Sequence, residues 1–114
     1  MRRWGWATDI HLNFLDAAGR AAFAAGLRAA GLDGLLLSGD IAESDSVVAS
    51  LADLEAQLGR PIYFVLGNHD YYYGSFAAVR RAVAAVCAGR AHLCYLTGSE
   101  VLPLSSATGV IGHD

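Results

Sequence analysis

Leu35-Leu36-Leu37-Ser38-Gly39-Asp40 passes in a few residues from a wholly apolar run to a glycine and a carboxylate. A short run with no polar alternation predicts a strand of a parallel sheet covered on both faces. Ser38, Gly39 and Asp40 are turn formers and end it. Two other runs have the same form. Arg3 to Thr8 sets Trp4 and Trp6 at period two and delivers the chain to Asp9, Ile10 and His11. Ile62 to Leu66 ends at Gly67-Asn68-His69-Asp70.

Each of these runs is followed by a segment of helical character. From Asp16 to about Ala30 strong helix formers place Phe23, Leu27 and Ala30 on one side, and Gly31 marks the stop. Ser44 or Asp45 is the expected cap of a second helix with the stripe Val47, Val48, Leu51, Leu54 and Leu58, closed by Gly59 and Pro61. A third is expected from Ser75 to Ala88, after three consecutive tyrosines. Leu93 to Leu96, Val101 to Leu104 and Ala107 to Ile111 read as further short strands. Strands alternating with helices predict an α/β fold, and 114 residues correspond to one domain.

Composition narrows the function. The net charge of −3, with arginines paired only at Arg2-Arg3 and Arg80-Arg81, gives no basic surface for nucleic acid. Arg80 and Arg81 are read as charges on a helix surface. Cys87 and Cys94 are too few for a zinc knuckle or a disulfide framework and are expected to be buried small apolar residues. Asp9, His11 and Asn13 interrupt any signal-peptide core, and no stretch reaches the roughly twenty apolar residues of a membrane helix. A cytoplasmic location without membrane attachment is the expectation.

In an open α/β sheet the carboxyl ends of parallel strands face one crevice, so Asp9, His11, Asp40, Asn68 and His69 are expected to converge there. Polar groups gathered beside apolar strands need a partner, and a cation suits carboxylate, imidazole and amide oxygen together. Asp9 and His11, two apart on extended chain, point to the same side. Asp40 has two oxygens with which to bridge two metals, and Asn68 offers an amide oxygen to the second. Two such ions polarise a phosphate and supply a nucleophilic water. Gly39 and Gly67 allow tight turns and close backbone approach. Tyr71, Tyr72 and Tyr73 are read as packing residues, with the lining of a substrate entrance as the alternative. A Rossmann nucleotide site is not expected, because no glycine-rich fingerprint follows the first strand.

Asp9-Ile10-His11, Gly39-Asp40 and Gly67-Asn68-His69-Asp70, in this order and each after a strand, resemble the calcineurin-like metallophosphoesterases. The resemblance implies the N-terminal half of a four-layer αββα sandwich with mostly parallel strands. It implies hydrolysis of phosphate esters by a metal-bridging hydroxide, with two divalent ions, Mn, Fe or Zn. By the same resemblance Asp9 and His11 bind the first metal, Asp40 bridges, and Asn68 binds the second. His69 then stands beside the substrate phosphate and protonates the leaving oxygen, with Asp70 supporting it. The family's later Gly-His and Gly-His-x-His motifs are not found. His92 is read as a strand-end residue, and His113, although it follows a strand and a glycine, as a non-ligand. The resulting expectation is a truncated domain over residues 1–114, impaired in turnover, with uncovered apolar surface open to association. The alternative is a non-catalytic metal-binding or interaction fragment of the same fold.

Overall fold

The computed structural model describes residues 2–114. Four strands, β1 (Trp4–Ala7), β2 (Gly34–Ser38), β3 (Ile62–Val65) and β4 (Leu93–Tyr95), form one parallel sheet in the order β1-β2-β3-β4. The helices α1 (Ala17–Ala29), α2 (Val47–Leu58) and α3 (Phe76–Ala88) make the three crossovers between neighbouring strands. Two short strands, β5 (Leu102–Pro103) and β6 (Gly109–Val110), pair antiparallel after β4.

Because each crossover of this kind is right-handed and the strand order never reverses, all three helices fall on the same side of the sheet. The register makes the consequence explicit. Leu35 pairs with Ile62, and Ile62 with Leu93; Leu37 pairs with Phe64. These residues share one face and are buried against Ala24 of α1, Leu51 and Leu54 of α2, and Val79 and Val83 of α3. The opposite face carries Trp4, Trp6, Leu36, Tyr63, Val65 and Cys94, none of them buried, and Trp6 is 71% exposed. Coverage of β2 on both faces, expected from its unbroken leucines, is therefore corrected: Leu36 stands on the face that no helix covers. Part of that face is met by other chain: Trp4 Nε1 donates to the Leu104 carbonyl at 3.3 Å while its ring stacks at a tilt on Tyr63, and Gly112 lies against Val65.

The helix limits follow local chemistry. Asp16 caps α1 by accepting from the Gly19 amide at 2.7 Å, and Ser75 caps α3 by accepting from the Ala78 amide. On α1 the buried residue is Ala24, while Ala30 ends the helix in solvent, which corrects its expected place on the packed side. The N-cap position of α2 is Ser46 rather than Ser44 or Asp45, and its hydroxyl meets the Glu43 amide behind it instead of capping the helix. From Val47 onward the stripe is as expected, with Val47, Leu51, Leu54 and Leu58 buried.

Two ion pairs, each joining a buried carboxylate to a partly exposed arginine, lock the periphery. Glu55 on α2 accepts from Arg90 at 2.7 Å and from the His92 amide, fastening α2 to the start of β4. Asp114 accepts from Tyr95 at 2.6 Å, from Arg80 at 3.1 Å, and from Tyr71 and Thr97. Arg80 is thus an anchoring residue rather than a surface charge, while Arg81 is exposed as expected. Cys87 and Cys94 are unpaired and half-buried rather than buried, and burial pushes the Cys87 thiol up to about 11.

Candidate metal centre

All three crossovers leave the sheet at its carboxyl end, where the chain after β1, β2 and β3 meets itself. The segment after β1 is zipped to the segment after β2 by backbone bonds: Asp9 N to Gly39 O at 3.0 Å, His11 N to Asp40 O at 3.1 Å, and Leu12 N to Ile41 O at 2.8 Å. To keep this pairing Asp9, His11 and Asp40 take left-handed backbone angles, φ 54°, 41° and 52°. Non-glycine residues in that region cost on the order of 1–3 kcal/mol each, and such strain concentrates at functional sites.

The segments after β2 and β3 are held closer still. Gly39, at φ 98°, lies against Gly67, where an added Cβ would come within 2.8 Å of the Gly67 nitrogen. A Cβ on Gly67 would come within 2.1 Å of Asp40 Oδ1. That contact is possible only between glycine backbones. It lets the two segments exchange carboxylates: Asp40 Oδ1 accepts from the His69 amide at 3.0 Å, while Asp70 Oδ1 accepts from Ile41 at 2.9 Å and Ala42 at 2.8 Å. Asp70 Oδ2 takes the Gly67 amide at 2.9 Å. Asp70 is fully buried, and burial raises its pKa above the ordinary carboxylate value although the three amides pull the other way.

The result is a cluster of His11, Asp40 and His69, with one nitrogen or oxygen from each lying within 4.8 Å of the others. The His11 and His69 rings meet edge to face at 4.8 Å, and His69 Nε2 stands 3.9 Å from Asp40 Oδ2. Asp40 is nearly buried and His69 is one-third exposed, so the cluster opens to solvent on the His69 side. His11 Nδ1 is buried without a hydrogen-bond partner. A buried ring nitrogen left unpaired beside a second imidazole and a carboxylate fits a divalent cation.

The remaining expected site residues lie around this cluster. Asp9 is exposed, and its Oδ2 accepts from the Thr8 hydroxyl at 2.5 Å. Asn68 is exposed, and its Nδ2 donates to the Tyr72 hydroxyl at 3.1 Å, which turns its carbonyl oxygen toward other partners. Asp70 bonds the Gly67, Ile41 and Ala42 amides and not the His69 ring, whose carboxylate neighbour is Asp40. His92 and His113 are exposed and stand outside the cluster. The sequence reading preferred packing for Tyr72, yet its ring lies 4.4 Å from that of His69. Its only sequence signal was adjacency to Asn68-His69. Asn13, read there only as a polar interruption, has a buried Oδ1 without a partner.

A parallel α/β layer that gathers histidine and carboxylate donors at its strand ends offers a candidate site for a metal ion. The chain belongs to the calcineurin-like phosphoesterase family, whose model matches residues 5–108. Its four-strand parallel sheet and three helices are consistent with the N-terminal half of that family's fold. The family's chemistry is metal-dependent hydrolysis of phosphate esters. Comparison with curated proteins returns no match. Among the described residues no helix is long and apolar enough to cross a membrane.

Proposed function

We propose that this chain hydrolyses phosphate esters at the cluster of His11, Asp40 and His69. The observation that carries this reading is the convergence of those three donors at the ends of three strands. His11 and Asp40 are the residues to hold a first divalent ion, with Asp9 beside them; Asp40 and Asn68 are those to hold a second. A divalent ion bound there polarises a phosphoryl oxygen and lowers the pKa of water.

The protein's own groups supply the rest. Asp40 Oδ1 is fixed by the His69 amide, so Oδ2 is the oxygen presented to the crevice. The one-third-exposed His69 ring sits where an ester would enter, and an imidazole there can hand a proton to a leaving oxygen. Asp70 is a positioning residue, since its bonds to Ile41, Ala42 and Gly67 set the backbone on which both Asp40 and His69 ride.

A second reading, metal binding without turnover, is favoured by the place of Asp9 outside the cluster, with its Oδ2 accepting from Thr8. Calorimetric titration with Mn²⁺, paired with phosphate release from a phosphate ester, separates the two. Metal uptake and release, both lowered at least about tenfold in Asp40→Asn, is the expected result. Uptake with no release selects the non-catalytic reading, and no uptake removes both.

A further inference from the structure

Apolar surface comes up to the edge of the cluster of His11, Asp40 and His69. Tyr72 lies 4.4 Å from the His69 ring at an interplanar angle of 34°, and its hydroxyl is held by Asn68. Beyond it a cavity of about 350 Å³ is lined by Asn68, Tyr71, Tyr72, Gly74, Ser75 and Phe76. Phe76, the first residue of α3, is 65% exposed, and its ring meets that of Tyr71 at 4.6 Å; Tyr72 is 42% exposed. The tyrosine that turns the chain over this cavity, Tyr73, holds φ 65°, a backbone region that bulky side chains rarely take.

These features select a kind of ligand. None of the six lining side chains is charged, so the cavity offers nothing to a second phosphate or a carboxylate. Rings left in water beside a polar cluster mark a recognition surface, and ring on ring gains more than the same area of aliphatic chain. An apolar cavity of roughly 150 Å³ already accepts a benzene ring, so this one has room for a planar group. Asn68 borders both cluster and cavity, which places that group close to the ester oxygen.

We infer that the site takes phosphate esters whose alcohol carries a flat, uncharged aromatic ring, seated between Tyr72 and Phe76. This rests on the reading of the cluster as a phosphoesterase centre, and the test separates the two. Benzylphosphonate and butylphosphonate, neither of them hydrolysable, are titrated calorimetrically into the Mn²⁺-loaded chain. Benzyl and butyl phosphate, whose leaving alcohols are of similar basicity, are assayed for phosphate release.

The expected result is a three- to tenfold tighter binding of benzylphosphonate, matched in kcat/KM. Phe76→Ala should cancel that preference by weakening benzylphosphonate more than butylphosphonate, while Phe76→Tyr retains it. Equal affinities, a preference that survives Phe76→Ala, or no binding of either phosphonate overturns the inference. A benzyl preference in binding with no hydrolysis of either ester sustains it while removing the hydrolase reading.

Discussion

Gly67 sets how closely the chain after β3 approaches the chain after β2. A methyl group there would meet Asp40 Oδ1 at 2.1 Å and the Asp40 nitrogen at 2.6 Å, both inside any permissible contact. Gly67→Ala must therefore displace the carboxylate that faces His11 and His69. Overpacking of this kind costs about 1–3 kcal/mol, and the loss should fall on metal affinity more than on the core, since Leu35, Leu37 and Phe64 lie elsewhere. Calorimetry with Mn²⁺ should show at least about a tenfold weaker site, and an unchanged affinity would mean that Asp40 is not a ligand. At this scale the sequence was informative about identity and less so about geometry. Asp40 and His69 were legible because Asp40 directly follows Gly39 and His69 stands two residues after Gly67, each at a strand end. That the His69 ring shares a cluster with His11, while Asp9 turns to Thr8, depends on three left-handed backbone angles that no periodicity encodes. Asp70 was named from the resemblance as a support of His69, but its bonding was not legible, because two of its three amide partners, Ile41 and Ala42, lie nearly thirty residues away.

Between elements, those same bonds make Asp70 the pin that joins the β2–α2 connection to the β3–α3 connection. Asparagine in its place keeps an acceptor for Ile41 and Ala42 but turns an amide donor toward the Gly67 N–H. A buried donor left facing a donor costs about 1–3 kcal/mol. Asp70→Asn should accordingly lower the urea midpoint with an unchanged m-value, and should weaken Mn²⁺ binding through movement of Asp40 and His69. A loss below about 0.5 kcal/mol would show that the loops hold their places without it. The elements joined by this pin were mostly legible. Caps at Asp16 and Ser75 and the stripe of α2 are local chemistry, readable within a few residues. The cap of α2 was not, because Ser44, Asp45 and Ser46 are all competent and the turn from Glu43 decides between them. The bare face of the sheet was expected only from the resemblance, as uncovered apolar surface, and not from β2: three leucines in a row specify a strand without alternation, and say nothing of whether helices lie on one side or both.

For the molecule as a whole, the buried carboxylate of Asp114 fastens the segment that follows β6 to Tyr71, Arg80, Tyr95 and Thr97, and so to the turn that carries His69 and to α3 and β4. Burial alone would raise its pKa, but bonds from Thr97, Tyr71, Tyr95 and Arg80 outweigh it and hold the group at about 2 against an ordinary 3.8. As pH falls, the unfolded chain takes up this proton before the folded one does. The stabilisation from Asp114 is therefore whole above about pH 5 and is lost as pH falls through 3.8 toward 2. Asp70 works in the opposite sense, because its raised pKa favours the fold where the group is protonated and that contribution is lost as pH rises through its folded value. The acid limb of the wild-type curve is thus a sum of opposing slopes, and one variant isolates one of them. Asp114→Asn should destabilise the chain by a constant amount above about pH 5, with the gap to wild type narrowing steadily toward pH 2. Chemical denaturation at fixed intervals of pH reads this directly. If the gap were the same at pH 2.5 as at pH 7, the carboxylate charge would have no part in holding that segment, and its bonds to Tyr71 and Tyr95 would act as neutral contacts alone.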